Sequence, residues 1–140
     1  MSQIEKTNDC VIRLANVNGT GSASANNMFA KAIFRMGVPV SPKNIFPSNI
    51  QGLPTWYEIR VSEKGYMGRR EGIDIMVSVN PQSITKDIAS ILPGGYFMYD
   101  NTKPLSKGLL RADVINIGIP MTEICAQNYS DPRQRLLFKI

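Results

Sequence analysis

One run constrains the fold more than any other: VIRLANVNGTGSASANNMFAKAIFRMG, residues 11–37, reads as a strand, a glycine-bearing turn and a helix in direct succession. Residues 11–15 are apolar except for Arg13, the pattern of a strand that is largely buried. Beyond the turn, Met28, Phe29, Ala32, Ile33 and Met36 recur at helical spacing. That spacing predicts a helix over 22–36 with those five on its apolar stripe and Asn26, Asn27, Lys31 and Arg35 largely off it. Gly37 stands where a helix can end in the left-handed region, and Pro39 cannot continue it.

The remaining chain repeats the theme. Residues 39–45 fit a short strand, and FPSNIQGLP, residues 46–54, is a loop broken by Pro47, Gly52 and Pro54. Residues 55–62 alternate, with Trp56, Glu58 and Arg60 on one face and Tyr57, Ile59 and Val61 on the other, as in an edge or antiparallel strand. A polar connection over 63–72 leads to IDIMVSV, a buried strand. Asn80 and Pro81 then open a helix carrying Ile84, Ile88 and Ile91 and ending near Pro93 and Gly94. GYFMYD is the next strand, residues 101–113 a loop with basic residues, and VINIGIP a further strand whose Pro120 opens a short helix. Asp131 and Pro132 suit the cap and first position of a last helix.

Strands alternating with helices predict an α/β fold, a Rossmann-like three-layer sandwich with a mostly parallel sheet and helices on both faces. At 140 residues, one domain spanning 1–140 is expected. The stop after Phe138, Lys139 and Ile140, where a finishing strand is missing, suggests a domain truncated at its C-terminus or cut from a longer polypeptide.

Composition narrows the chemistry. There is no histidine, which removes the commonest general base and metal ligand, so a self-contained hydrolase or metalloenzyme is not expected and no catalytic or metal residue is assigned. Cys10 and Cys125 form no CxxC pair and read as free buried thiols. The net charge of +5 comes from basic residues scattered among acids, a solvated mixed surface without the basic aromatic-bearing helix of a nucleic-acid binder. No apolar run approaches the length of a membrane span and residues 1–8 are polar, so a cytoplasmic protein is expected.

At the end of a first parallel strand, turn amides and the free N–H groups of the next helix converge on a place for an anionic oxygen, which the helix dipole favours by about 0.3–1 kcal/mol. The candidates here are Asn16, Asn18, Gly19, Thr20, Gly21 and Ser22. Asparagine is the next best residue to glycine in the left-handed region, so Asn16 and Asn18 are compatible with the turn. The spacing is not GxGxxG and no acid stands in 40–45, which disfavours a dinucleotide site. A phosphate cradle and a tight turn that merely packs helix on sheet both remain open.

Three blocks carry a resemblance to a known family. Residues 11–37 look like the start of the gamma subunit or gamma domain of 2-oxoacid:ferredoxin oxidoreductases, with an arginine-bearing strand and a GxGGQG turn. Arg13, Gly19 and Gly21 match that pattern, while Asn16, Asn18 and Thr20 depart from it. FPSNIQGLPTWYEIRVS is similar to that family's proline–serine–glutamate–apolar–arginine–glycine–glycine–proline stretch; Pro47, Ser48, Gly52 and Pro54 match, while Asn49, Gln51 and Leu53 differ. IDIMVSVNPQS resembles the strand that leads into a leucine–asparagine–glutamine turn.

The resemblance implies a gamma domain of an enzyme that oxidatively decarboxylates a 2-oxoacid to an acyl-CoA with ferredoxin as acceptor. It implies coenzyme A contact at the glycine turn, with thiamine diphosphate, magnesium and iron–sulfur clusters on partner domains and none bound by this chain alone. The implied partners are alpha, beta and delta-type subunits or domains, with ferredoxin reached indirectly. The loop with Pro47, Ser48, Asn49, Gln51 and Gly52 is expected to be an interface or active-site wall, where neutral amides replace charged residues and weaken each hydrogen bond by about half. The other reading is a free-standing Rossmann-like scaffold module that binds phosphate or nucleotide.

Overall fold

The structure, a computed structural model, describes residues 7–47 and 50–138, so Ser48, Asn49, Lys139 and Ile140 lie outside the described residues. Its six strands are β1 (Asp9–Val17), β2 (Val40–Ile45), β3 (Pro54–Ser62), β4 (Ile73–Ser78), β5 (Ile91–Asp100) and β6 (Ile115–Ile119). They form one sheet in the order β2-β3-β1-β4-β5-β6. The pairs β1/β4, β4/β5 and β5/β6 are parallel, while β3 runs antiparallel to β1 and β2 on either side. The mostly parallel sheet follows from the crossover helices, and the antiparallel corner from the short loop that turns β2 straight back into β3.

Period-2 alternation in β1 sends Val11 and Ala15 to one face and Ile12 to the other. On the first face they join Trp56, Met76 and Phe97 under Ile88 of helix α2 (Ile84–Ala89). On the second, Ile12 joins Tyr57, Ile59 and Val61 under Ala30 and Ile33 of helix α1 (Ser22–Arg35). Helices therefore cover both faces, giving the expected three-layer sandwich. Helices α3 (Met121–Asn128) and α4 (Pro132–Phe138) follow β6, and the Asp131 carboxylate caps α4 by accepting the Arg133 N–H at 2.9 Å. No helix among the described residues is long and apolar enough to cross a membrane.

Three expectations are corrected. First, α1 does not bury the stripe its large residues suggest: Met28, Phe29 and Met36 are 71%, 45% and 73% exposed, Ala32 is exposed too, and only Ile33 of the five is buried. The buried face is Ser22, Asn26, Ala30 and Ile33, whose first three members are small or polar and let the helix lie close on the sheet. Second, β3 is antiparallel, one of the two forms expected, but its alternation leaves neither face to solvent: it lies between β2 and β1 with Thr55 to Ser62 all buried. Its charges are neutralised by neighbours instead of water, Arg60 pairing with Asp9 at 2.5 Å. Third, Ile91 is the first residue of β5 and not the end of α2. Ile73 pairs with Ile91 but Ile75 with Tyr96, a bulge that accommodates Pro93 inside the strand.

Candidate functional site

β1 ends at Val17, and the chain then turns through Asn18, Gly19, Thr20 and Gly21 into α1. Left-handed backbone falls on Gly19 (φ +87°) and Gly21 (φ +79°), and Asn8 is the one non-glycine residue with positive φ among the described residues. Asn16 and Asn18 are therefore not left-handed substitutes for glycine, and the Asn18 side chain has other work. The Asn18 amide donates to the Ile50 carbonyl at 3.1 Å, while its backbone N–H and C=O bond Leu53 and Gly52 at 2.9 and 3.0 Å, stapling the 46–54 loop to the turn. Gln51 lies across Gly19 so closely that a Cβ there would sit 2.7 Å from the Gln51 Cγ.

The turn opens on a cavity of about 240 Å³ at the carboxyl end of β1. Asn16, Asn18, Gly19, Gly21 and Ser22 line it; Thr20 does not, its hydroxyl donating to the Val17 carbonyl at 2.8 Å. The structure adds Asn26, Asn44 and Tyr57 to that lining, along with Phe46 and Trp56. Asn26 stands four residues beyond Ser22 on α1, a helical spacing that would have flagged it had the apolar stripe not pointed elsewhere.

Two features single this cavity out as the candidate site. The amide nitrogens of Asn16 and Asn26 have no hydrogen-bond partner among the described residues, although each residue is only 3% exposed. Leaving a buried donor unmade costs about 1–3 kcal/mol; both nitrogens are enclosed rather than open to the hollow that their residues line, so an acceptor there would reach them once the side chains turn toward it. The N-terminus of α1 also carries no side-chain cap, with Gly21 at the cap position and Ser22 and Ala23 on the cavity wall. The Asn16 carbonyl is held by the Asn80 amide at 3.1 Å, which fixes the end of β1 against the loop that follows β4.

A second cavity of about 380 Å³ lies on the α2 side of the sheet and shares Phe46 and Trp56 with the first. Arg13, Arg69, Lys86 and Pro47 line it. Cross-strand pairing of β1 with β3 sets Arg13 opposite Glu58. The buried Glu58 carboxylate accepts Arg13 Nε at 3.0 Å and Nη2 at 2.5 Å, and Arg69 Nε at 3.0 Å. Burial alone would raise the Glu58 carboxyl, but the bonds from Arg69 and Arg13 hold it below its ordinary 4.5. A lowered folded-state value contributes stability that is fully present above 4.5 and is lost as pH falls from there through the lowered value. Glu58→Gln should cost about 3 kcal/mol at neutral pH, the low end for removing one partner of a buried pair because Arg69 is half exposed. It should also flatten the acid side of the stability curve, which urea unfolding at neutral pH and through the acid range would show; a slope equal to the parent's below 4.5 would contradict it.

Lys86 stands over the Trp56 ring at 4.9 Å, and the Trp56 Nε1–H donates to the buried Asp87 at 2.7 Å. Of the loop residues singled out from sequence, Pro47 reaches the second cavity, Gln51 and Gly52 join the turn, and Ser48 and Asn49 are outside the described residues. Cys10 and Cys125 are free thiols, the first half-buried and the second buried. Among the described residues no group of three or more acids or cysteines is placed to hold a metal ion.

Comparison with known proteins places this fold. Residues 11–135 match the pyruvate ferredoxin/flavodoxin oxidoreductase family, and the chain belongs to it. Over 92 residues it is 24% identical to the alpha subunit of 2-oxoacid:ferredoxin oxidoreductase 2 from Aeropyrum pernix, covering 66% of this chain and 14% of the relative. Among solved structures it superposes on 2-oxoglutarate:ferredoxin oxidoreductase from Magnetococcus marinus with a TM-score of 0.80 and 25% identity, over 94% of this chain and 23% of that one. It also shares the fold of the keto/oxoacid ferredoxin oxidoreductase gamma subunit from Geobacter sulfurreducens, with a TM-score of 0.70 and 15% identity over 93% and 70% of the two chains. The chain thus spans under a quarter of the length of the Aeropyrum and Magnetococcus proteins.

Proposed function

We propose that this chain serves as the gamma domain of a 2-oxoacid:ferredoxin oxidoreductase and helps to hold coenzyme A. The enzyme would release carbon dioxide from a 2-oxoacid, join the remaining acyl group to the coenzyme A thiol and pass the electrons to ferredoxin. The observation that carries the coenzyme A role is the pair of unpartnered buried amides, Asn16 and Asn26, beside an uncapped helix N-terminus. The Magnetococcus protein, to which the fold is similar, was solved with 2-oxoglutarate, coenzyme A and succinyl-CoA bound.

Thiamine diphosphate, magnesium and iron–sulfur clusters belong, on this reading, to alpha, beta and delta-type partners, as the resemblance to the gamma domains of this family implies. The exposed Met28, Phe29 and Met36 suit packing against such a partner. A free-standing phosphate-binding scaffold is disfavoured by the family match over residues 11–135. Purification of the protein with its natural partners tests the reading: a complex that reduces ferredoxin in a 2-oxoacid- and coenzyme A-dependent way supports it. A lone monomer that binds a nucleotide unaided would overturn it.

Asn26→Leu separates a binding role from a structural one. Removing an unpaired buried donor should stabilise the fold by about 1 kcal/mol, raising Tm by roughly 3 °C for a domain of this size, while raising the KM for coenzyme A. A variant that melts lower with an unchanged KM would make Asn26 a structural residue only.

A further inference from the structure

The two cavities differ in one chemical respect. None of the described residues lining the first is charged, so its donors are neutral amides and backbone N–H groups. The second gathers Arg13, Arg69 and Lys86 with one acid, the buried Asp87, whose carboxylate is taken up by Trp56, Ser78 and Ser83. The bonds to Glu58 use Nε and Nη2 of both arginines and leave each Nη1 outside them, so one carboxylate holds two guanidinium groups in place with donors to spare. Such paired guanidiniums match phosphate oxygens, and with the Lys86 ammonium on the same wall three cations stand against the Glu58 and Asp87 carboxylates, which leaves the cavity positive. The Phe46 ring, 48% exposed, stands between the two hollows and lines both, a surface on which a base can stack.

Coenzyme A is divided in the same way: the pantetheine arm is uncharged and rich in amide carbonyls, while the nucleotide end carries the diphosphate and the 3′-phosphate. We propose that the basic cavity takes the phosphorylated nucleotide end and that the glycine-turn cavity takes the amide arm. The turn would then not be the phosphate cradle that its glycines suggest. This rests on the coenzyme A reading above. Neutral donors bond a carbonyl well but give a phosphate none of the charge-assisted strength that the arginines supply. Glu58 acts here as a positioning residue, since its carboxylate fixes both guanidiniums.

The test uses the assembled oxidoreductase and two probes, coenzyme A as substrate and adenosine 3′,5′-bisphosphate as competitor. Arg69→Gln with Lys86→Gln spares the more deeply buried Arg13 and should weaken both the KM for coenzyme A and the inhibition constant of the bisphosphate about tenfold or more. Asn26→Leu should raise the KM for coenzyme A and leave bisphosphate inhibition unchanged. Inhibition that is indifferent to the basic pair, or weakened equally by Asn26→Leu, or absent from the parent enzyme, would overturn the division between cavities. If neither variant moves the KM for coenzyme A, the coenzyme A reading itself fails, an outcome distinct from failure of the division alone. Melting curves of both variants identify any loss due to unfolding, and Arg69→Lys should partly restore binding where charge is the cause.

Discussion

Replacing Asp87 with alanine is expected to cost about 4 kcal/mol of stability, the largest effect of any single change near the site. Asp87 is buried on α2 and accepts three side-chain donors: Trp56 Nε1 at 2.7 Å, Ser78 Oγ at 2.8 Å and Ser83 Oγ at 2.8 Å. Alanine leaves all three unpaired in the core, and each such group costs about 1–3 kcal/mol, offset in part by local relaxation. Tm should fall by roughly 12 °C, and Asp87→Asn, which keeps an acceptor but sets an N–H against a donor, should lose about half as much. Calorimetry with urea unfolding measures both. The Trp56 ring lines both cavities, so the same variant should loosen coenzyme A binding in the assembled enzyme. A stability loss under about 1 kcal/mol would mean that water replaces the carboxylate and that the network does not hold Trp56.

Gly19→Val comes next, at about 3 kcal/mol and level with Glu58→Gln. Positive φ costs an ordinary side chain about 1–2 kcal/mol and a β-branched one more. The new Cβ would also meet Gln51 Cγ at 2.7 Å. Part of that clash is relieved because Gln51 is a flexible side chain, but moving it disturbs the loop stapled to Asn18. Gly19→Val should therefore raise the KM for coenzyme A as well as lower Tm, whereas Gly37→Val, at a φ of +86° with open space around it, should lower Tm alone. Equal kinetic effects from the two would remove the turn from the site.

The architecture was legible wherever local signals agree with packing. Residues 11–37 show a strand, a turn and a helix because apolar runs, glycines and the Gly37 stop all point the same way, and Asp131 with Pro132 marks a helix start by its own chemistry. The buried side of α1 was not legible. Met28, Phe29 and Met36 dominate any hydrophobic count, yet close approach to the sheet selects small Ser22 and Ala30, and the large residues stay outside. Ile91 fitted a helix by spacing alone, because a buried isoleucine satisfies either period.

For the site, the turn itself was readable from its glycines, and five of the six residues assigned there meet in one cavity. The Asn26 amide, the Trp56 ring and the Arg13–Glu58–Arg69 cluster were not, since each depends on strand register or helix rotation across long stretches of chain. Glu58 and Arg60 read as the wet face of an amphipathic strand; cross-strand partners neutralise them in the interior instead.

The most direct test of a coenzyme A site at the carboxyl end of β1 is amide hydrogen exchange of the assembled oxidoreductase with and without coenzyme A. Slower exchange across residues 18–26 and 50–53 when coenzyme A is added is the expected result, because ligand contacts there would suppress opening of the turn, the first turns of α1 and the loop bonded to them. Unchanged exchange in those segments, with protection confined to partner subunits, would contradict it.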